Sequence, residues 1–239
     1  MISERRLAET YTSFWHDNLR TGEAAVKFVN GQLERVFDPI ESRISPRRRE
    51  FINEAAFFLF TSRVERGLLK SGKPPPSAEV EESCAAALKQ LARLRTVPFD
   101  SESPINHMER NEVVDLGMRL EKLFTPVTPE EELHVCPPFA GCGIVKGCYG
   151  DVLKGSTLHE IKSGDRNFRL IDLRQLFIYG ALNYAEPLYK LTHFSYVNPR
   201  RGVWYREKID NLVHFATGKS TVELFSEIVD FITSDRVSM

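Results

Sequence analysis

The sequence predicts an α/β protein with a helical N-terminal extension, on three observations. Apolar residues recur at helical spacing as far as Phe124, β-forming residues with Pro and Gly take over from Thr125, and one helix-spaced run at 171–184 interrupts those β segments. From Asn106 the order is helix, three strands, helix, one or two strands, helix. The chain divides accordingly into a helical segment at 1–72, a linker with a short helix at 73–105, and a core at 106–239.

Leu7, Tyr11, Phe14 and Trp15 mark a first helical stripe, and Val26, Phe28, Val29, Leu33 and Phe37 a second. A third helix runs from Pro46 to about Leu69, with Ser45-Pro46 as its start signal. KPPPS at 73–77 is an extended spacer. Ala78 to Leu94 carries Cys84, Leu88 and Leu91 on one stripe, and a TVPFDSESP loop follows at 96–104. Val113, Leu116, Leu120 and Phe124 define a helix over 106–124. HVCPPFAGCGIV, CYGDVL and TLHEIK predict three short strands separated by turns at Gly147 and at Lys154-Gly155-Ser156. Leu173, Leu176, Phe177, Gly180, Ala181 and Tyr184 share a helix face, with Asp172 as a cap or first-turn acid. Strands follow at 191–197 and 202–209, and a last helix spans 220–233.

With 239 residues, 42% of them apolar, the chain can bury one sizeable core. A net charge of −1 excludes a globally basic nucleic-acid or membrane binder, so phosphate binding must come from local patches. The apolar run AAFFLF at 55–60 is too short to span a bilayer. Four Cys without a secretory n-region and h-region predict free thiols and a cytoplasmic protein that makes no use of a membrane.

The chemistry concentrates at CYGDVLKGSTLHEIKSG, residues 148–164. Strand alternation puts Glu160 and Lys162 on one face while the Ile161 side chain points into the core. A hairpin over KGST lets Asp151 face Glu160. Two carboxylates, one or two main-chain carbonyls (that of Ile161 among them) and waters form a hard-oxygen site suited to Mg²⁺ or Mn²⁺. Lys162 is then placed to orient an attacking water or to offset transition-state charge on a phosphodiester. The plainer alternative is a solvated strand face or a cross-strand ion pair, although this is the only Glu-x-Lys in the chain.

Gly150-Asp151, Glu160-Ile161-Lys162 and RQLFIYGALNY at 174–184 resemble the PD-(D/E)XK nuclease superfamily, in particular its RecB-like branch. The resemblance covers about residues 106–210. It implies a restriction-endonuclease-like core, α-β-β-β-α-β, with a mixed central sheet flanked by helices. It also implies Asp151 and Glu160 as metal ligands, Lys162 as the catalytic lysine, Gln175 as the helix residue that positions the centre, and Tyr179 beside it. Glu112, with Glu109 second, is the candidate acid from the first core helix, and His107 is a candidate extra ligand or a helix cap. Gly150 stands where the superfamily often has Pro. The implied activity is Mg²⁺-dependent hydrolysis of DNA in repair, recombination or anti-phage defence. The implied partners are DNA and either further copies of the chain or a helicase/ATPase subunit.

Lys146, Lys154, Arg166 and Arg169 surround the motif, and NPRRG at 198–202 adds Arg200 and Arg201 as phosphate contacts. PRRRE at 46–50 is a second basic run, better explained as a solvated helix start. Two other readings stand beside the nuclease. One is a catalytically silent subunit of the same fold that binds nucleic acid or a partner protein. The other is a metal or redox centre on Cys136, Cys142 and Cys148, whose spacing matches neither zinc nor iron–sulfur patterns and favours buried thiols.

Overall fold

The computed structural model describes residues 1–41, 44–69, 72–94, 105–128 and 131–234; the loop expected at 96–104 lies outside them. Three short helices open the chain, α1 (Glu4–Thr10), α2 (Thr12–Asn18) and α3 (Gly22–Gly31). The stripe predicted to run through Phe37 stops at Gly31, a weak helix former, and the chain turns extended as β1 (Glu34–Arg35). A 3₁₀ turn at Pro46–Arg48 leads into α4 (Arg49–Glu65); Ser45 makes no side-chain capping bond there, so the fixed φ of Pro46 acts without it. α5 (Ser77–Leu94) and α6 (His107–Phe124) follow, α6 opened by a capping box between Asn106 and Glu109.

The three predicted strands before the next helix are five: β2 (Leu133–Val135), β3 (Pro138–Phe139), β4 (Cys148–Tyr149), β5 (Val152–Lys154) and β6 (Thr157–Ile161). Pro137 has no N–H to continue the ladder, and Cys136 takes φ +49° as its N–H bonds the Asp151 carbonyl at 2.9 Å. Gly150 completes the break, because a Cβ there would lie 2.9 Å from Leu158 Cδ1 and 3.1 Å from Phe139 Cε2. Asp151 is thereby left just outside β5. The chain continues through α7 (Leu170–Ala185), β7 (His193–Asn198), β8 (Val203–Lys208), α8 (Ile209–Thr217) and α9 (Thr221–Thr233). α8 was not separable from the preceding strand by pattern, since its first residue, Ile209, continues the GVWYREKI run.

The main sheet has the order β1-β8-β7-β6-β5-β2, with β3 and β4 forming a separate ribbon. Among the described strands of this sheet only β6 and β7 pair in parallel, bridged by the α7 crossover, so the sheet is mixed. Leu158, Phe194, Tyr196 and Tyr205 on one face join a core with α1, α2, α3, α7, α8 and α9. Val152 and Val197 on the other face meet Phe60 of α4 and Leu120 and Phe124 of α6. α5 packs outside α4 and α6 through Val80, Ala87 and Leu91. The described residues of 1–72 thus supply an edge strand and helices to both layers. Among the described residues no helix is long and apolar enough to cross a membrane.

Candidate active site

The antiparallel register pairs Val152 with His159, which sets Asp151 across from Glu160 where β5 begins and β6 ends. Asp151 Oδ2 accepts the main-chain N–H of Ile161 at 2.7 Å. Lys162 Nζ meets Glu160 Oε1 directly, donates to Gln175 Oε1 at 3.3 Å, and lies 4.0 Å from Asp172 Oδ1. Gln175 Nε2 donates to the Tyr179 hydroxyl at 2.9 Å, and that hydroxyl donates to the Tyr149 carbonyl at 3.2 Å. The Tyr179 ring stacks on Phe139 with centroids 5.2 Å apart. A relay thus runs from β4 through α7 to the lysine and fixes the Gln175 amide. Asp172 accepts the Arg169 N–H at the start of α7 and takes two bonds from Arg166, at 2.5 and 2.8 Å.

Burial first, and then the charge of Asp151, push the Glu160 carboxyl up to about 8 despite Lys162. Burial likewise raises Asp151. Lys162 moves up from the usual lysine range: burial opposes its charge, but Glu160 and Asp151 outweigh burial. Two acids share one ammonium, and Glu160 Oε2 is buried with no hydrogen-bond partner among the described residues. An orphaned buried acceptor costs about 1–3 kcal/mol, more when charged, so a proton or a cation is favoured beside it. The donors are all oxygens, which fits Mg²⁺ or Mn²⁺, and such ions keep several waters rather than demanding a full protein cage. Among the described residues no three His, Cys, Asp or Glu side chains form a ready-made cage.

Sequence reasoning missed Glu54. Its carboxyl is raised by burial and then by the charges of Asp151 and Glu50, so α4 presents an acid to the Asp151 end of the site. The available signal was an i, i+4 pair of glutamates, Glu50 and Glu54, leading into the AAFFLF run. The helix acids expected from α6 are committed elsewhere. Glu112 is buried against Arg200, and Glu109 caps α6 while taking Arg48 at 2.7 and 3.1 Å.

Arg200 and Tyr179 do not reach the surface as the expected nucleic-acid contacts, and Lys154 lies away from the carboxylate site. Arg200 is 1% exposed, its guanidinium spent on Glu112, the Ser163 carbonyl (2.8 Å) and Asn53 (2.8 Å), because it ties α4 and α6 to the end of β6. Tyr179 is 2% exposed and serves the relay rather than a surface. Lys154 pairs in register with Thr157, an odd number of residues from Asp151, and so points to the opposite sheet face. Arg201 contacts Asn167 in the turn after β7. Arg166, with its side chain 32% exposed, stays at the rim beside Asp172. His107 is the first residue of α6 and bonds Asn111, while Asn106 provides the cap. Cys136 is exposed, Cys142 half-buried and Cys148 buried, and burial pushes the Cys148 thiol up to about 12. Comparison with protein-family models, with curated proteins and with solved structures gives no match.

Proposed function

We propose that the chain is a metal-dependent nuclease of the PD-(D/E)XK type, with a restriction-endonuclease-like core, that hydrolyses DNA phosphodiester bonds. The observation that carries this reading is the unpartnered Glu160 Oε2, buried beside Asp151 and next to a lysine that Gln175 holds in place. Asp151 and Glu160 would hold Mg²⁺ or Mn²⁺, with the Ile161 carbonyl as a further oxygen. The bound ion would supply Lewis-acid polarisation of a phosphoryl oxygen. Lys162, its side chain 22% exposed, can reach a water or a phosphate oxygen at the mouth of the site. Gln175 restrains that ammonium, and the Tyr179 relay keeps Gln175 in one orientation. Arg166 adds a cation at the rim for the substrate backbone. Further copies of the chain or a helicase/ATPase partner would supply the substrate specificity that this site does not encode.

The test is cleavage of single-stranded, duplex and circular DNA in Mg²⁺, Mn²⁺ or EDTA, with Lys162→Ala as control. Metal-dependent cleavage lost in the variant supports the reading; equal cleavage by the variant, or none by the unaltered chain with either metal, removes it. A second reading, a silent subunit that binds nucleic acid or a partner protein, draws on the direct Lys162–Glu160 contact, which occupies one carboxylate oxygen. DNA retention without turnover by the unaltered chain would favour it.

A further inference from the structure

The sheet face opposite the carboxylates is only part-covered by α4 and α6. Beyond Phe124 it opens into a cavity of about 390 Å³ lined by Leu123 and Glu131 above and by Lys154, Thr157, His159, Trp204 and Arg206 below. Register explains the grouping: Lys154 pairs with Thr157, His159 with Ser195, and Ser195 with Arg206, so alternate residues of four strands point the same way. His159 is 3% exposed, yet its Nδ1 has no hydrogen-bond partner among the described residues. Ser195, beside it in the next strand and 1% exposed, has an equally unpartnered hydroxyl. Native structures seldom leave buried polar atoms unpaired without a ligand, water or ion to meet them.

The surrounding charge is positive. Arg206 uses its Nε on the Thr157 hydroxyl at 3.1 Å, which orients the guanidinium and leaves its terminal nitrogens available. Lys154 donates to the Thr125 carbonyl at 3.2 Å and meets Glu131 at 3.3 Å, so its ammonium is held in place. The His159 ring packs edge-on against Phe124 with centroids 4.9 Å apart, which holds the imidazole at the cavity wall. The Trp204 ring lies 6.3 Å from the His159 ring at an interplanar angle of 33° and forms a flat wall. Trp204 and Arg206 also line a second hollow of about 490 Å³ that carries Lys208 and His193.

We propose that this cavity is a second binding site, distinct from the carboxylate site, for a phosphate monoester attached to a planar base: a mononucleotide, or the phosphorylated end of a nucleic-acid strand. The phosphate sits between Arg206 and Lys154 and takes the His159 N–H, and the base lies against Trp204. The reading is independent of whether the carboxylate site cuts DNA.

The experiment titrates the full chain with adenosine 5′-monophosphate, adenosine, and a short oligonucleotide with and without a 5′-phosphate, observing the His159 imidazole resonances and Trp204 fluorescence. The other tryptophan, Trp15, is fully buried, and Trp204→Phe identifies its background. Responses to the phosphorylated ligands only, weakened about tenfold or more in Arg206→Ala and in Lys154→Ala but kept in Lys162→Ala, are the expected result. A response to the monophosphate assigns a free nucleotide; a response confined to the phosphorylated oligonucleotide assigns a strand end. Arg206 is exposed, so its loss leaves the fold intact. The proposal is overturned by silence towards every phosphorylated ligand, by equal binding of adenosine, by indifference to Arg206→Ala, or by loss of binding in Lys162→Ala instead.

Discussion

Asp151 and Ile161 are joined by a 2.7 Å hydrogen bond from the Ile161 N–H to the Asp151 carboxylate. Since Ile161 separates Glu160 from Lys162, that bond fixes the strand end from which both of these side chains project. Asp151 therefore shapes the site as well as contributing charge to it.

Lys162→Ala and Glu160→Gln are each expected to lower metal-dependent DNA cleavage by roughly 10²-fold or more, the scale of losing a positioned acid–base or electrostatic group. Lys162→Ala should leave the circular dichroism spectrum unchanged. Single-turnover cleavage at saturating Mg²⁺ measures the effect, and a change below about threefold would count against the assigned roles.

Glu54 and Glu112 should behave as opposites. Glu54→Gln is expected to raise the Mg²⁺ concentration needed for half-maximal cleavage with little change in stability, because Glu54 faces Asp151 without a basic partner among its charge neighbours. Glu112→Gln removes the counter-charge of the fully buried Arg200 and should cost about 3–5 kcal/mol in denaturant unfolding. If the glutamine at 112 is silent in unfolding while cleavage collapses, the acid belongs to α6 after all.

Stability of the metal-free protein should fall as pH rises from about 6.5 to 8. The Glu160 carboxyl sits near 8 when folded against a model value of 4.5. A group whose folded pKa is the higher one contributes its stabilisation fully below the unfolded value and loses it as pH climbs through the folded one. Asp151 shifts in the same direction. His159 acts oppositely: held near 3 against 6.5, it favours the fold at high pH and loses that contribution as pH drops below 6.5. Thermal melts of the parent and Glu160→Gln separate the two, since only the parent should show the decline between pH 6.5 and 8, and millimolar Mg²⁺ should flatten it.

Gly180→Ala should destabilise the fold by roughly 1–3 kcal/mol through overpacking. A Cβ at 180 would fall 2.3 Å from Phe225 Cζ and 3.0 Å from Phe194 Cζ, where α7 crosses α9 and the sheet. Phe225→Leu in the same chain should recover much of the loss in equilibrium denaturation.

Long periodic helices were legible because their stripes survive any tertiary context: α5, α6, α7 and α9 start and stop within two residues of the expected positions. The Asp151, Glu160 and Lys162 juxtaposition was legible because a two-residue hairpin at Gly155-Ser156 leaves one register. Glu54 was not, since its approach to Asp151 depends on how α4 docks, and no local pattern encodes docking. Arg200 looked like a surface cation because runs of arginine usually are; its burial follows from Glu112 and Asn53, which lie 88 and 147 residues away in the chain. β1 and β8 pair across an even longer stretch, so two residues such as Glu34 and Arg35 carry no strand signal of their own.

The two-residue β1 also shields one margin of the main sheet. It covers Val203 and Trp204 at the outer margin of the sheet, and the Val36 and Phe37 N–H groups extend the cover to the Gly202 carbonyl at 2.8 and 3.1 Å. An uncovered margin is a template on which another polypeptide can add a strand. Loss of the β1 pairing alone would expose that template while α1, α2 and α3 still cover the core, and its first symptom would be self-association rather than unfolding.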